Sequence, residues 1–248
     1  MRNSIFKHRS VRRYKSTPIP ADILKNILEA ASRASTCGNM QLYSLVVTQS
    51  EEMRRRLAPA HFNQPMVTQA PCVVTVCADV HRFSMWCGQR DAQPVYDNFA
   101  WFMNAVTDAL LAAQNLALQA EYHGLGICYL GTTLYTAAEI AKTLTLPKGV
   151  IPVTAIVIGY PDETPSLTDR LPLEAVVHYE TYTEYTASEI DELWAEREES
   201  EETRRIVAEN GEQNLAQVFT RHRYRGEDNL AISRSYFELL KRQGFFNN

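Results

Sequence analysis

Several features that mark whole classes of protein are missing from this sequence. Its five cysteines (Cys37, Cys72, Cys77, Cys87, Cys128) form no C-x-x-C pair and are odd in number. That pattern speaks against a disulfide framework and for a reducing compartment. Their spacing fits no metal-ligand motif and ties none of them to a histidine, so they read as buried, inert thiols, and no metal is expected. There is no basic surplus: 25 Lys and Arg stand against 29 Asp and Glu, a formal net charge of -4. A general nucleic-acid binder would show the opposite balance. There is no long uninterrupted apolar run. The most apolar region, 98–122, is broken by Asn104, Asp108, Gln114, Asn115, Gln119 and Glu121, which argues against a membrane span. The opening MRNSIFKHRSVRRY lacks the apolar core of a signal peptide, so a cytoplasmic protein is expected. Internal repeats and low-complexity tracts are absent as well.

What is present is a 248-residue chain with an apolar fraction of 45%. That is enough for a sizeable core in one large domain or two small ones. The pattern predicts a helix over 21–34, with Pro18 and Pro20 before it and Ile23, Leu24, Ile27, Leu28 and Ala31 along one face. A strand follows over 43–48, then a short helix capped by Ser50 and running to about Leu57. Residues 72–78 (CVVTVCA) and 151–159 (IPVTAIVIG) are almost continuously apolar and rich in β-branched residues, as strands buried on both faces are. Between them lies a long helix over 97–123, apolar nearly all round, ending at Gly124 and Gly126. A short strand is expected over 127–130. Thr136 with Glu139 fits a capping box for a helix reaching about Leu144.

The composition changes after Tyr160. Residues 161–172 (PDETPSLTDRLP) form a Pro-rich polar loop, and beyond it the chain is charged and helical in pattern. Ser188 is placed to cap a helix reaching Glu209, with Gly211 breaking it and two shorter helices following. The expected division is a core over 1–172 and an extension over 173–248. The extension is too polar to hold a core of its own, so it packs on the core or on a second subunit.

The chemistry concentrates in five segments. The first is His8-Arg9-Ser10-Val11-Arg12-Arg13-Tyr14, with an imidazole, three guanidiniums and a hydroxyl. Such a cluster is costly to hold together without an anion, and arginine matches phosphate geometry. A phosphorylated ligand is one reading; a solvated basic face or a helix-dipole partner is the other. The second is Ser35-Thr36-Cys37-Gly38-Asn39-Met40-Gln41, the third Asn63-Gln64. The fourth is GLGICYLGT over 124–132, where a strand ends in glycine and its backbone N–H groups come free. The fifth is Thr168-Asp169-Arg170.

In this order and at these separations, the segments resemble the FMN-dependent nitroreductase family. The marks are HRSVRRY, NQPMVTQAP over 63–71, GLGICYLG over 124–131, LPKGVIPVTAIVIGYP over 146–161 and DRLP over 169–172. The likeness is strongest to the larger members with a helical C-terminal extension, the oxygen-insensitive NAD(P)H nitroreductases and NADPH–FMN oxidoreductases. It implies an α+β fold: a three-layer α/β/α sandwich with a mostly antiparallel central sheet. It implies a homodimer with FMN at the subunit interface, the long helix of 97–123 lying there.

Carried over residue by residue, the resemblance puts His8, Arg9, Ser10 and Arg12 around FMN. His8 and Ser10 would face the phosphate and ribityl chain with Thr168 and Arg170. Arg12 and Gln64 would meet the pyrimidine edge. Tyr129, Leu130, Gly131 and Thr132 would pass beneath the ring, the Gly131 N–H near flavin N5. Asn39 and Gln41 would come from the other subunit. Relatives carry a lysine where this chain has Thr168, which removes one positive charge from the phosphate region. Arg204, Arg205, Arg221, Arg223 and Arg225 are candidates for the 2′-phosphate of NADPH, although Arg204 and Arg205 equally suit i,i+4 pairing on a solvated helix.

The implied activity is ping-pong hydride transfer from NADPH or NADH to FMN and on to nitroaromatics, quinones or free flavin. No catalytic acid–base pair is expected, because the cofactor carries the chemistry. The alternatives are another FMN chemistry on the same fold, such as dehalogenation or ene reduction, and a non-catalytic flavin-binding or sensing protein.

Overall fold

The computed structural model describes residues 5–246, so the first four residues of the leader reading lie outside it. The chain forms two compact units, 5–166 with 232–246, and 167–231. In order, the elements are α1 (Ala21–Ala31), β1 (Tyr43–Thr48), α2 (Glu51–Leu57), α3 (Pro65–Gln69), β2 (Cys72–Asp79), α4 (His81–Gly88), α5 (Phe99–Tyr122), β3 (Gly126–Tyr129), α6 (Thr132–Tyr135), α7 (Ala137–Thr143) and β4 (Val150–Gly159). Then come α8 (Ala187–Glu199), α9 (Glu201–Glu209), α10 (Leu215–Val218) and α11 (Gly226–Arg242). No described helix is long and apolar enough to cross a membrane.

The sheet has the order β1-β2-β4-β3, with every neighbouring pair antiparallel. Period-2 alternation deals its side chains to two faces. Cys72, Val74, Val76 and Ala78 of β2 and Ile151, Val153, Ile156 and Ile158 of β4 join one cluster with α1 and α5. Val73, Ala155 and Val157 join another with Val11, Tyr14, Met66 and Val67. Both faces are covered, which is why these strands read as nearly unbroken apolar runs although the sheet is antiparallel. Pro152 sits in an inner strand opposite Cys77, where the register shifts. A bulge tolerates the missing donor there.

The long helix is α5, N-capped by the Asn98 side chain accepting the Trp101 N–H. An alanine-rich stripe (Ala105, Ala109, Ala112, Ala113, Ala117, Ala120) is buried and lets the helix lie close to the sheet. The expectation of apolar burial all round needs correction. Phe99, Met103, Leu110 and Leu111 remain exposed on its outer side. At its end Gly124 takes φ 75° and stops the helix, whereas Gly126 belongs to β3. A Cβ on Gly126 would lie 2.7 Å from Val11 Cγ2, so glycine admits the amino-terminal segment against the strand.

Two capping assignments differ from the sequence pattern. Thr136 makes no cap to α7. Its hydroxyl donates instead to the carbonyls of Ala60 and Thr132 (3.1 Å for the latter). Thr186, not Ser188, opens α8, in a reciprocal capping box with Glu189. The helix expected to reach Glu209 is two helices. Ser200 takes an extended ψ of 146° and its side chain caps α9 by accepting the Thr203 N–H.

In the first unit the carboxyl-terminal segment packs on the core. Leu239, Leu240 and Phe245 are buried, Phe245 lies edge-on to Phe102, and Gln243 bonds the backbone of Gly149 and Val150. The second unit buries Thr203, Leu215 and Val218.

Candidate functional site

The amino-terminal segment runs beside the outer strand of the sheet. Ser10 bridges Ile127 of β3 in parallel fashion, and the Val11 N–H donates to the Ile127 carbonyl at 2.9 Å. Tyr14 bridges Pro161, its buried hydroxyl donating to the Val11 carbonyl at 2.5 Å. Burial pushes that phenol far above its ordinary pKa, so it remains a donor. Glu163 ties down the other side. Its Oε1 accepts the N–H groups of Arg12 (2.6 Å) and Arg13 (2.9 Å), and its Oε2 accepts from Arg13 Nε (3.1 Å). The Arg12 amide bond foremost, with the Arg13 contacts, holds the Glu163 carboxyl below its usual range.

With the backbone spent in this way, the side chains separate. His8 Nδ1 meets Glu121 Oε1 at 2.5 Å, which orients the ring. Arg12 is exposed and Ser10 half-buried. Arg9 turns into a cavity of about 500 Å³ that Lys7 and Val11 also line, with Glu121, Tyr122 and Glu163. Arg9 and Val11 share one face of an extended segment, and Ser10 and Arg12 have the other parity. Arg9 Nε is buried there with no hydrogen-bond partner.

The end of β3 supplies a second element. Leu130 N–H closes the ladder onto Ala155 O at 2.8 Å, and Gly131 then opens α6. Gly131 has an ordinary φ of -60°, and a Cβ built on it would meet nothing within 4 Å. Neither backbone conformation nor packing within this chain calls for glycine at that position. What glycine supplies is room for close approach by something outside the chain. Its N–H donates to no backbone acceptor among the described residues. A flat ring lying against that turn fits both facts.

Tyr129 beside it is half-buried, its hydroxyl 3.2 Å from Gln114 Oε1, with burial raising its pKa. Cys128 is a buried thiol whose pKa burial also raises, so it stays protonated. Behind the turn stands His61, fully buried, with Nδ1 2.9 Å from Thr132 Oγ1 and Nε2 without a partner. Burial lowers its pKa to about 4 and keeps the ring neutral. Gln64 lies three residues on, its N–H bonded to the His61 carbonyl, and its half-buried amide is open to a ligand.

These elements bring His8, Ser10, Arg12, Gln64, Tyr129, Leu130, Gly131 and Thr132 to the β3 side of the sheet. Asn39 and Gln41 are not brought there. Their loop precedes β1, at the opposite edge, three strand spacings or about 14 Å away across the sheet. Both take left-handed backbone, φ 55° and 54°, a conformation costing on the order of 1–3 kcal/mol for a residue with a side chain. Thr168 and Arg170 belong to the second unit, where Arg170 Nη1 donates to the carbonyls of Thr168 (3.4 Å) and Asp169 (2.8 Å).

The five arginines of the extension are distinguished by their partners. Arg221 pairs with Glu212 at 2.8 Å, Arg225 with Glu227 and Asp228, and Arg205 with Glu209. Arg223 lies over the Phe219 ring, 5.8 Å from its centroid. Arg204 has no ion-pair partner among the described residues and lines a cavity of about 340 Å³ with Thr203, Gln213, Asn214 and the carboxylates of Glu198 and Glu212.

The sequence pattern did not single out Asp108, His61, Glu163 or Arg82. For Asp108 a signal existed: a carboxylate amid alanines on the buried stripe of a helix must have partners. For Glu163 no local signal existed, since its partners are 150 residues away.

Residues 5–160 match the nitroreductase family. A curated relative, the FMN reductase (NADPH) of Bacillus subtilis (strain 168), is 32% identical over 181 residues, 72% of this chain and 73% of that protein. A crystal structure from Bacteroides fragilis NCTC 9343 is 46% identical with a TM-score of 0.96, covering 98% of this chain and 99% of that one. The NADPH:FMN oxidoreductase of Vibrio harveyi, solved with NAD+, is 26% identical with a TM-score of 0.80, covering 98% and 97%. This chain belongs to the nitroreductase family.

Proposed function

We propose that this protein is an FMN-dependent NAD(P)H oxidoreductase of the nitroreductase and FMN reductase type. The observation that carries the reading is Gly131, where a Cβ would meet nothing within 4 Å and whose N–H donates to no backbone acceptor among the described residues. When bound, FMN supplies hydride exchange at N5, from NADPH or NADH and then to a nitroaromatic, quinone or free flavin.

The chain's own residues bind, orient and tune. Ser10 and the His8 imidazole, the latter aligned by Glu121, serve the phosphate and ribityl chain. Arg9, Thr168 and Arg170 are assigned to the phosphate region on family likeness alone. Arg12 and the Gln64 amide serve the pyrimidine edge. A guanidinium at that edge favours the reduced cofactor, whose negative charge gathers there. Tyr129, Leu130, Gly131 and Thr132 form the floor under the ring. Of the arginines offered for the NADPH 2′-phosphate, Arg204 is favoured by its lack of an internal partner.

The reading includes a homodimer. The exposed Phe99, Met103, Leu110 and Leu111 of α5 form an apolar surface suited to a second copy, which would bring Asn39 and Gln41 to the other chain's cofactor. It also includes a cytoplasmic location, favoured by five free cysteines, four of them buried.

The test is spectroscopic. The purified protein should be yellow or take up FMN, and NADPH and NADH should bleach it under anaerobic conditions. Steady-state oxidation with menadione or nitrofurazone then separates an enzyme from a flavin-binding sensor. A colourless protein that takes up no FMN would end this reading.

A further inference from the structure

The loop before β1 is held in a conformation that it would not keep unaided. Gly38, Asn39 and Gln41 have φ of 54°, 55° and 54°. Two of the three carry side chains, for which left-handed backbone is disfavoured. The loop is gripped from both sides. Asp108, 1% exposed in the middle of α5, accepts the Cys37 N–H on Oδ1 at 2.8 Å and the Leu42 N–H on Oδ2 at 3.0 Å. Arg82, at the start of α4, donates to the carbonyls of Gln41 and Tyr43, the latter at 3.1 Å. A buried carboxylate thus gives each oxygen to one end of the loop, and a guanidinium takes the carbonyls.

What the clamp presents is polar and outward. The Asn39 and Gln41 side chains are exposed, with Gln41 Nε2 reaching toward Asn39 at 3.4 Å. Nothing on the same chain's β3 edge is within reach, because β2 and β4 stand between. The helix that supplies Asp108 inward also exposes Leu110 and Leu111 outward, two and three residues on. The same helix thus carries the clamp on its buried side and the apolar surface proposed for a second copy on its outer side.

We propose that Asp108 and Arg82 are positioning residues acting across the subunit boundary: they keep Asn39 and Gln41 preorganised for the FMN held by the partner. This rests on the dimeric flavoprotein reading above. Holding the loop in advance removes an ordering cost from cofactor binding.

Subunit mixing tests it. FMN affinity is read by quenching of flavin fluorescence, and assembly by sedimentation. The Asp108→Asn homodimer should bind FMN at least about tenfold more weakly than wild type, the scale of one charge-assisted hydrogen bond lost. Arg82→Gln, at an exposed side chain, should shift affinity the same way. Asp108→Asn chains are then co-expressed, on separate tags, with Ser10→Glu/Arg12→Glu chains, whose own cofactor segment is broken but whose loop is intact. The heterodimer pairs one intact segment with one intact loop, and should bind one FMN per dimer with wild-type affinity. Asp108→Asn binding FMN as wild type does would overturn the proposal. So would a heterodimer as weak as the Asp108→Asn homodimer, since the loop would then act on its own chain or through the fold. Wild-type protein that is monomeric or takes up no FMN would instead overturn the dimeric flavoprotein reading, and this proposal with it.

Discussion

His61 Nδ1 lies 2.9 Å from Thr132 Oγ1, so a fully buried imidazole braces the turn that begins at Gly131. The adjoining Ala60 carbonyl accepts the Thr136 hydroxyl at the far end of α6. The turn is thus fastened at both ends to residues 58–61.

Stability should depend on His61 in a defined pH window. Its pKa falls from the ordinary 6.5 to about 4 in the folded state. The unfolded chain takes up the proton first, so the contribution is complete above pH 6.5 and is lost as pH falls toward 4. That interval corresponds to about 3 kcal/mol. Urea unfolding of wild type and His61→Gln at pH 7 and pH 4 should show wild type losing more by roughly that amount. Equal losses would remove His61 from the account.

Gly131→Ala should fold normally, since a methyl group there meets nothing within 4 Å and φ is -60°. FMN binding should weaken by about tenfold or more, because the methyl occupies the space of the ring. Thermal melts of the cofactor-free protein beside FMN titrations separate the two effects. Unchanged FMN affinity would count against a ring stacked on this turn.

Arg12→Gln should lower the midpoint potential of bound FMN, by about 30 mV for each tenfold loss of preference for the reduced form. Glu163→Gln should act less, since the amide oxygen still accepts from the Arg12 backbone. Anaerobic titration against a reference dye gives both values. A potential that does not move with Arg12→Gln would place the guanidinium away from the pyrimidine edge.

Arg204→Ala should raise KM for NADPH about tenfold and leave KM for NADH unchanged, as expected on losing a phosphate contact. Arg221→Ala should do little to either, because Arg221 is occupied by Glu212. The reverse order of effects would move the 2′-phosphate to the other arginine.

If the proposed homodimer forms through this face of α5, Leu110→Glu with Leu111→Glu should convert it to monomers and lower FMN affinity together, as two charges enter an apolar contact. Sedimentation and FMN titration on one preparation check it. Dimers that survive the double substitution would exclude this face of α5.

The sequence alone determined the elements whose environment is local or uniform. The strands expected over 72–78 and 151–159 were legible because a strand covered on both faces is apolar at almost every position, and the one over 43–48 was legible from its own run of residues, YSLVVT. The start of α5 and the Ser50 cap were legible because their signals lie within a few residues. The ligand-bearing segments stood out by chemistry: arginines and a serine before the first helix, and glycine at a strand end. Tertiary structure decided what depends on partners far along the chain. Thr136 reads as a cap, yet its hydroxyl goes to Ala60. Asp108 reads as a flaw in an apolar helix, yet its two oxygens hold Cys37 and Leu42. The strand order sets Asn39 and Gln41 across the sheet from Gly131, and no periodicity records it. Local pattern encodes where a residue is buried; only the folded chain fixes which group, distant in sequence, meets it there.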